Sequence, residues 1–217
     1  MRTTTDLVKL QRTANRRFVL LQQRLIALRT PLSSLQQREL AITLIDAQNT
    51  WQLFVKYFFI SSAIGARRAS GQRAHAGIPG ILTQGDAIAF AIKETRYQIY
   101  LKKGATGAYK PLDEPGWHLS WVLPKLARAA KLSNETQVLS AWSIPGQAID
   151  HLLTARNFFA HRARHTALDL ALLSRVYHVP ASTRPALVPG EPHPSSQFSI
   201  AFMWVAQLRS MVRLLSQ

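Results

Sequence analysis

The densest set of side chains able to do chemistry lies in one short segment, where Arg156, Asn157, His161, Arg162, Arg164 and His165 follow one another closely. Read as a helix of 3.6 residues per turn, Ile149, Leu152, Leu153, Phe159, Ala160 and Ala163 form an apolar face. Asp150, Thr154, Asn157, His161, Arg164 and His165 form the opposite, polar face. Arg156 falls in the middle of the apolar face. A guanidinium cannot shed its proton to escape burial, so it needs a receiver: a carboxylate, a backbone terminus, a second subunit or a phosphate. An ion pair with Asp46, Glu39 or Asp150 meets that need without any activity.

His161 and His165 stand four residues apart, a metal-ligand spacing on a helix. No Glu lies between them and acids are few elsewhere, so no zinc site or other metal or cofactor is expected. His151 and His165 read as surface or phosphate-contacting residues. Phe158 and Phe159 read as packing, although an interface can use either.

These residues need helices to position them. Leu7, Leu10, Ala14, Phe18, Leu21, Leu25 and Leu28 mark one helical stripe over 6–28. That stripe suits either a coiled-coil seam or one wall of an intramolecular bundle, so residues 1–30 are a wall of the domain, an appendage or a dimerisation element. Thr30-Pro31 breaks the chain, and Ser33 with Gln36 has capping-box spacing for a helix over 34–64. Trp51, Phe54, Tyr57, Phe58 and Phe59 on it are expected in a core or an oligomer interface.

A third helix is expected from Asp86 to about Leu101, with some strand character at Tyr97, Ile99 and Tyr100. Further helices are expected over 118–131, 133–142 and 197–215. The chemistry-bearing helix runs from Pro145 to about Arg164, then continues or bends into 166–177. Stretches 65–85, 102–117 (with Gly107) and 178–195 are rich in Gly or Pro and read as long loops. Arg67, Arg68 and Arg73 then form a mobile cationic arm. With strand signals nearly absent, the fold class is all-α: one up-and-down helical bundle over 1–217 with long loop insertions.

Charge narrows the partners. The chain has 27 Lys plus Arg against 11 Asp plus Glu, a net of +16, which favours a polyanion such as RNA; an acidic partner protein is the alternative. Cysteine is absent, so disulfides and thiolate metal sites are excluded. The Met-Arg-Thr-Thr-Thr-Asp start lacks a signal-peptide core, and no apolar run approaches the ~20 residues of a membrane span. A cytoplasmic protein with no membrane association is expected.

Arg156-Asn157-Phe158-Phe159-Ala160-His161 resembles the ribonuclease motif of the HEPN superfamily, in which an Arg, commonly followed directly by Asn, precedes a His by a few residues. The motif likeness covers 145–165; beyond it the likeness extends to fold class alone. The resemblance implies a helical bundle that forms a homodimer, with motif residues of two copies facing each other in a composite active site. Arg156 and His161 lie about 140° apart on a straight helix, which apposition across a two-fold axis or a local bend would relieve.

The residue types suit that chemistry. RNA carries its own nucleophile, the 2′-hydroxyl. His161 is expected to act as general acid–base, Arg156 to hold the scissile phosphate, and Asn157 to orient the imidazole or the phosphate. Arg67, Arg68, Arg73, Lys102, Lys103, Arg162, Arg164 and His165 are expected to contact nucleic acid. The products are a 2′,3′-cyclic phosphate and a 5′-hydroxyl, with no metal required. The resemblance further implies a toxin or defence effector with an inhibitor, antitoxin-like protein as partner. Two other readings stand beside it: a HEPN-like module that binds nucleic acid or a partner without cutting, and a basic helical scaffold in which the motif is accidental.

Overall fold

The structure is a computed structural model that describes residues 1–28, 31–104, 108–144, 147–215 and 217. Thr30, Gly107 and Pro145, which mark expected breaks and a helix start, lie outside the described residues. The described chain is all-α. It runs α1 (Leu7–Ala27), α2 (Ser34–Ala63), α3 (Gln84–Thr95), α4 (Tyr97–Lys103), α5 (Val122–Ala129), α6 (Glu135–Trp142), α7 (Ala148–His161), α8 (Arg164–Val176) and α9 (Ile200–Leu215), with 3-10 turns at Pro111–Asp113 and Pro185–Gly190. Among the described residues the only β pairing is three isolated bridges.

The chain divides into two compact units. The first holds Met1–Asn15, Trp51–Pro145 and Met211–Gln217; the second holds Arg16–Thr50 and Gly146–Ser210. The stripe of α1 is buried from Leu7 to Leu25, with Leu7, Leu10 and Ala14 in the first unit and Phe18, Leu21 and Leu25 in the second.

The first unit forms around aromatics. Trp51 stands 5.8 Å from Trp142, and Phe59 stands 6.0 Å from Trp117 and 6.4 Å from Phe90, centroid to centroid, the offset geometry in which rings attract. The Trp117 indole donates to Glu114 at 2.8 Å, and Glu114 pairs with Lys56 at 2.7 Å. α3 begins two residues earlier than expected, at Gln84: Thr83 is its N-cap, and Asp86 closes the capping box. The Thr83 hydroxyl, with the Thr83 and Leu82 amides, holds the Asp86 carboxyl below its ordinary range. The helix stops at Arg96, whose guanidinium reaches the carbonyls of Leu112 and Glu114. Tyr97, Ile99 and Tyr100 then lie in α4 and not in a strand.

The expected cationic arm is pinned. The Arg67 amide donates to Thr5 at 2.8 Å, its carbonyl accepts from the Leu7 amide at 2.9 Å, and the Ala74 amide donates to Ala66 at 2.8 Å. These backbone bonds fix the loop that composition alone reads as mobile.

The second unit buries Phe18, Leu21, Leu25, Leu40, Leu44, Leu152, Leu170, Val188, Trp204 and Leu208. α7 meets α8, and α8 lies against the Pro185–Gly190 turn, so the Pro-rich stretch is partly helical and packed. α9 starts three residues later than expected: Ser199 stands just before it, with its hydroxyl accepting from the Phe202 amide at 3.2 Å.

Candidate nucleic-acid interface

The core face of α7 differs from the expected one. Ala148, Ile149, His151, Leu152 and Ala155 are buried, whereas Leu153 and Phe159 are half-buried and Ala160 is exposed. At 100° per residue the buried arc runs from His151 through Ala155, Ala148 and Leu152 to Ile149, and Arg156 falls toward its Ile149 edge, about 70° from the centre. Arg156 is therefore half-buried, at a far lower cost than full burial.

None of the three expected carboxylates receives it. Asp46 and Glu39 lie 3.3 and 3.9 Å from Arg24, and Asp150 makes no ion pair among the described residues. Arg156 Nη1 instead donates to Asn157 Oδ1 at 3.3 Å. Asn157 thus holds the guanidinium and makes no hydrogen bond to the His161 imidazole, one of the two partners expected for it, the other being a phosphate.

α7 ends at a strained corner. Arg162 adopts the left-handed conformation (φ 48°), its amide donating to the Phe158 carbonyl at 2.7 Å. That position favours Gly or Asn, and an Arg there costs about 1 kcal/mol. Ala163 is extended and α8 opens at Arg164. His161, Arg162, Arg164 and His165 are all exposed around this bend. The first turn of α8 has no acid and no side-chain cap; the Thr166 hydroxyl donates back to Ala163 at 2.8 Å. Free first-turn amides and four cationic or titratable side chains make the corner favourable to an anion.

Beside the corner lies a cavity of about 230 Å³ lined by Ser34, Gln37, Arg38, Phe158, Phe159, Arg162 and Ala186. The two Phe rings meet edge to face, 5.1 Å apart at 67°. Ser34, Gln37 and Arg38 come from the first turns of α2, which Ser33 and Gln36 cap reciprocally at 3.3 and 3.0 Å. Arg38 had no signal in the sequence, because nothing local links it to α7.

His151 is buried, not at the surface as expected. Trp204 Nε1 donates to the Tyr177 hydroxyl at 2.6 Å, Tyr177 stands 2.7 Å from His151 Nδ1, and His151 Nε2 stands 2.9 Å from Gln147 Oε1. A neutral imidazole protonated at Nε2 satisfies the whole chain of bonds. Burial holds His151 below its ordinary pKa, against the smaller opposing pull of Asp150, and burial raises Tyr177.

The loop cations belong to the other unit. Arg67, Arg73 and Lys102 are exposed and Arg68 is half-buried. Lys103 pairs with Asp113, which it holds below the ordinary carboxylate range together with the Lys110 amide. Among the described residues no helix is long and apolar enough to cross a membrane. Comparison with protein-family models, with curated proteins and with solved structures finds no match.

Proposed function

We propose that this chain is a HEPN-like, metal-independent endoribonuclease that binds single-stranded RNA at the α7–α8 corner. One observation carries the reading: the exposed His161 imidazole adjoins Arg162, which with Arg38, Phe158 and Phe159 lines one cavity. Arginines beside aromatic rings suit an unpaired nucleotide, with the phosphate on the guanidinium groups and the base against a ring. A paired strand presents no free base to such a cavity.

His161 moves the proton. It takes the proton of the 2′-hydroxyl as that oxygen attacks phosphorus, and the leaving 5′-oxygen receives a proton as its bond breaks. Guanidinium groups stabilise the charge that builds on the phosphoryl oxygens. Within one chain Arg156 and His161 point about 140° apart, so a homodimer with a composite site, in which Arg156 comes from a second copy, is part of this reading. Asn157 positions that guanidinium. A toxin or defence role, restrained by an inhibitor protein, is the setting we propose for such an activity.

The test is the chemistry of the ends. Purified protein incubated with single-stranded RNA in EDTA should leave 2′,3′-cyclic phosphate and 5′-hydroxyl ends. Ends bearing a 5′-phosphate would contradict the mechanism. The separation of Arg156 from His161 also favours a second reading, binding without cleavage, in which RNA is retained uncut.

A further inference from the structure

A groove of about 380 Å³ lies between α1 and α2. Arg17, Leu20, Leu21 and Arg24 line it from α1, and Asp46, Asn49 and Thr50 from α2. Spacings of three and four residues put each set on one helix face. All of them belong to the second unit, and none belongs to the α7–α8 corner. Thr50 is 4% exposed, yet among the described residues its hydroxyl has no hydrogen-bond partner. Thr13, Thr95 and Thr154, also helical, donate to the carbonyl four residues back at 2.9, 2.6 and 3.0 Å. Thr50 does not make that bond, and a buried hydroxyl left without a partner is costly.

Two further donors line the same groove. Arg17 and Asn49 are exposed and form no hydrogen bond or ion pair among the described residues. Arg24 is engaged by Asp46 at 3.3 Å and Glu39 at 3.9 Å, so Arg17 is the cation left for a ligand. A guanidinium, a carboxamide and a hydroxyl offer more donors than the two oxygens of a carboxylate use, and they suit the three terminal oxygens of a phosphate ester. Beside them Leu21 is buried and Leu20 is 58% exposed, an apolar wall for the organic part of such a ligand. Asp46 and Glu39 oppose a continuous polyanion, and the volume sits at the low end for a small-molecule site.

We infer that the α1–α2 groove binds a small phosphate ester, with the phosphate on Arg17, Asn49 and Thr50 and the organic body against Leu20. The net charge of +16 draws anions toward it. The ligand is a small molecule and not a strand, so the inference does not rest on RNA cleavage, and binding measurements test it alone.

Phenyl phosphate titrated into the full chain should shift the backbone amide resonances of 17–24 and 46–50 saturably. Inorganic phosphate should bind the same place more weakly, and phenol should not bind there. Arg17→Gln should weaken phenyl phosphate about tenfold or more, whereas Arg12→Gln, the same charge change outside the groove, should not. Thr50→Val keeps the side-chain shape and should weaken binding about three- to tenfold. It breaks no bond of the free protein, so its urea midpoint should not fall. Leu20→Ala should bring phenyl phosphate toward inorganic phosphate and leave the latter unchanged. No saturable shift in the groove overturns the inference. So does equal binding of the ester and free phosphate, or an equal effect of Arg12→Gln and Arg17→Gln. RNA affinity lost in Arg17→Gln, with no binding of phenyl phosphate to the wild type, also overturns it and makes the groove an RNA contact.

Discussion

Arg156 is held by its own neighbour: its Nη1 donates to Asn157 Oδ1 at 3.3 Å. The adjacency of Arg and Asn in the motif thus has a local meaning, since the amide presents the guanidinium and leaves the imidazole alone. Asn157→Ala should lower kcat for RNA cleavage by about 10- to 100-fold, the worth of one hydrogen bond to a charged group. A pH–rate profile of the variant should keep the wild-type shape, because His161 is not its partner. A shifted profile would return Asn157 to the imidazole.

Arg156→Ala and His161→Ala should each abolish cleavage, yet equal amounts mixed should recover up to about a quarter of wild-type activity. Half the dimers are then mixed, and each has one complete site of two. The readout is initial rate against total protein. No recovery on mixing would place both residues in one chain's site.

The cavity between α2 and α7 makes a different demand. Phe159→Ala should weaken binding of single-stranded RNA about tenfold or more, in line with the loss of one stacked base, with little change for a duplex of equal length. Arg38→Ala should weaken both and reduce the salt dependence of binding by about one phosphate contact. Fluorescence anisotropy titrations at several salt concentrations measure both effects.

The buried bonds of His151 predict a pH effect on stability. Its folded pKa is depressed, so the unfolded chain takes up the proton first as pH falls. The stabilisation is fully present above the unfolded value near 6.5. It declines below that pH and levels off under the depressed folded value. Urea unfolding between pH 8 and 5 should show this acid-side loss, and His151→Gln should remove it. Tyr177→Phe leaves Trp204 Nε1 and His151 Nδ1 without their partner, and should cost about 1–3 kcal/mol for each group left unsatisfied.

Much of the fold was legible in the sequence because its signal is local and periodic. The α1 stripe and the Ser33–Gln36 cap sit where spacing put them. Errors arose where a distant contact overrides local preference. α3 ends where the Arg96 backbone leaves helical geometry (φ −137°, ψ 51°), and the guanidinium there reaches the carbonyls of Leu112 and Glu114, contacts that no window around Arg96 reveals. Residue type alone puts Arg156 at mid-face because it takes Ala160 as inward; the structure exposes Ala160 and buries His151, which bonds to Tyr177. The motif residues and the bend after His161 were readable, whereas Arg38 reaches the cavity only through tertiary structure.

Cleavage and binding measured together on His161→Ala test the central claim most directly. His161 is exposed and makes no bond that holds α7, so its loss should leave the fold and the RNA affinity intact. The account predicts wild-type binding of single-stranded RNA in EDTA with cleavage reduced at least a hundredfold, the low end of what general acid–base catalysis contributes. A variant that cuts as fast as the wild type would contradict it.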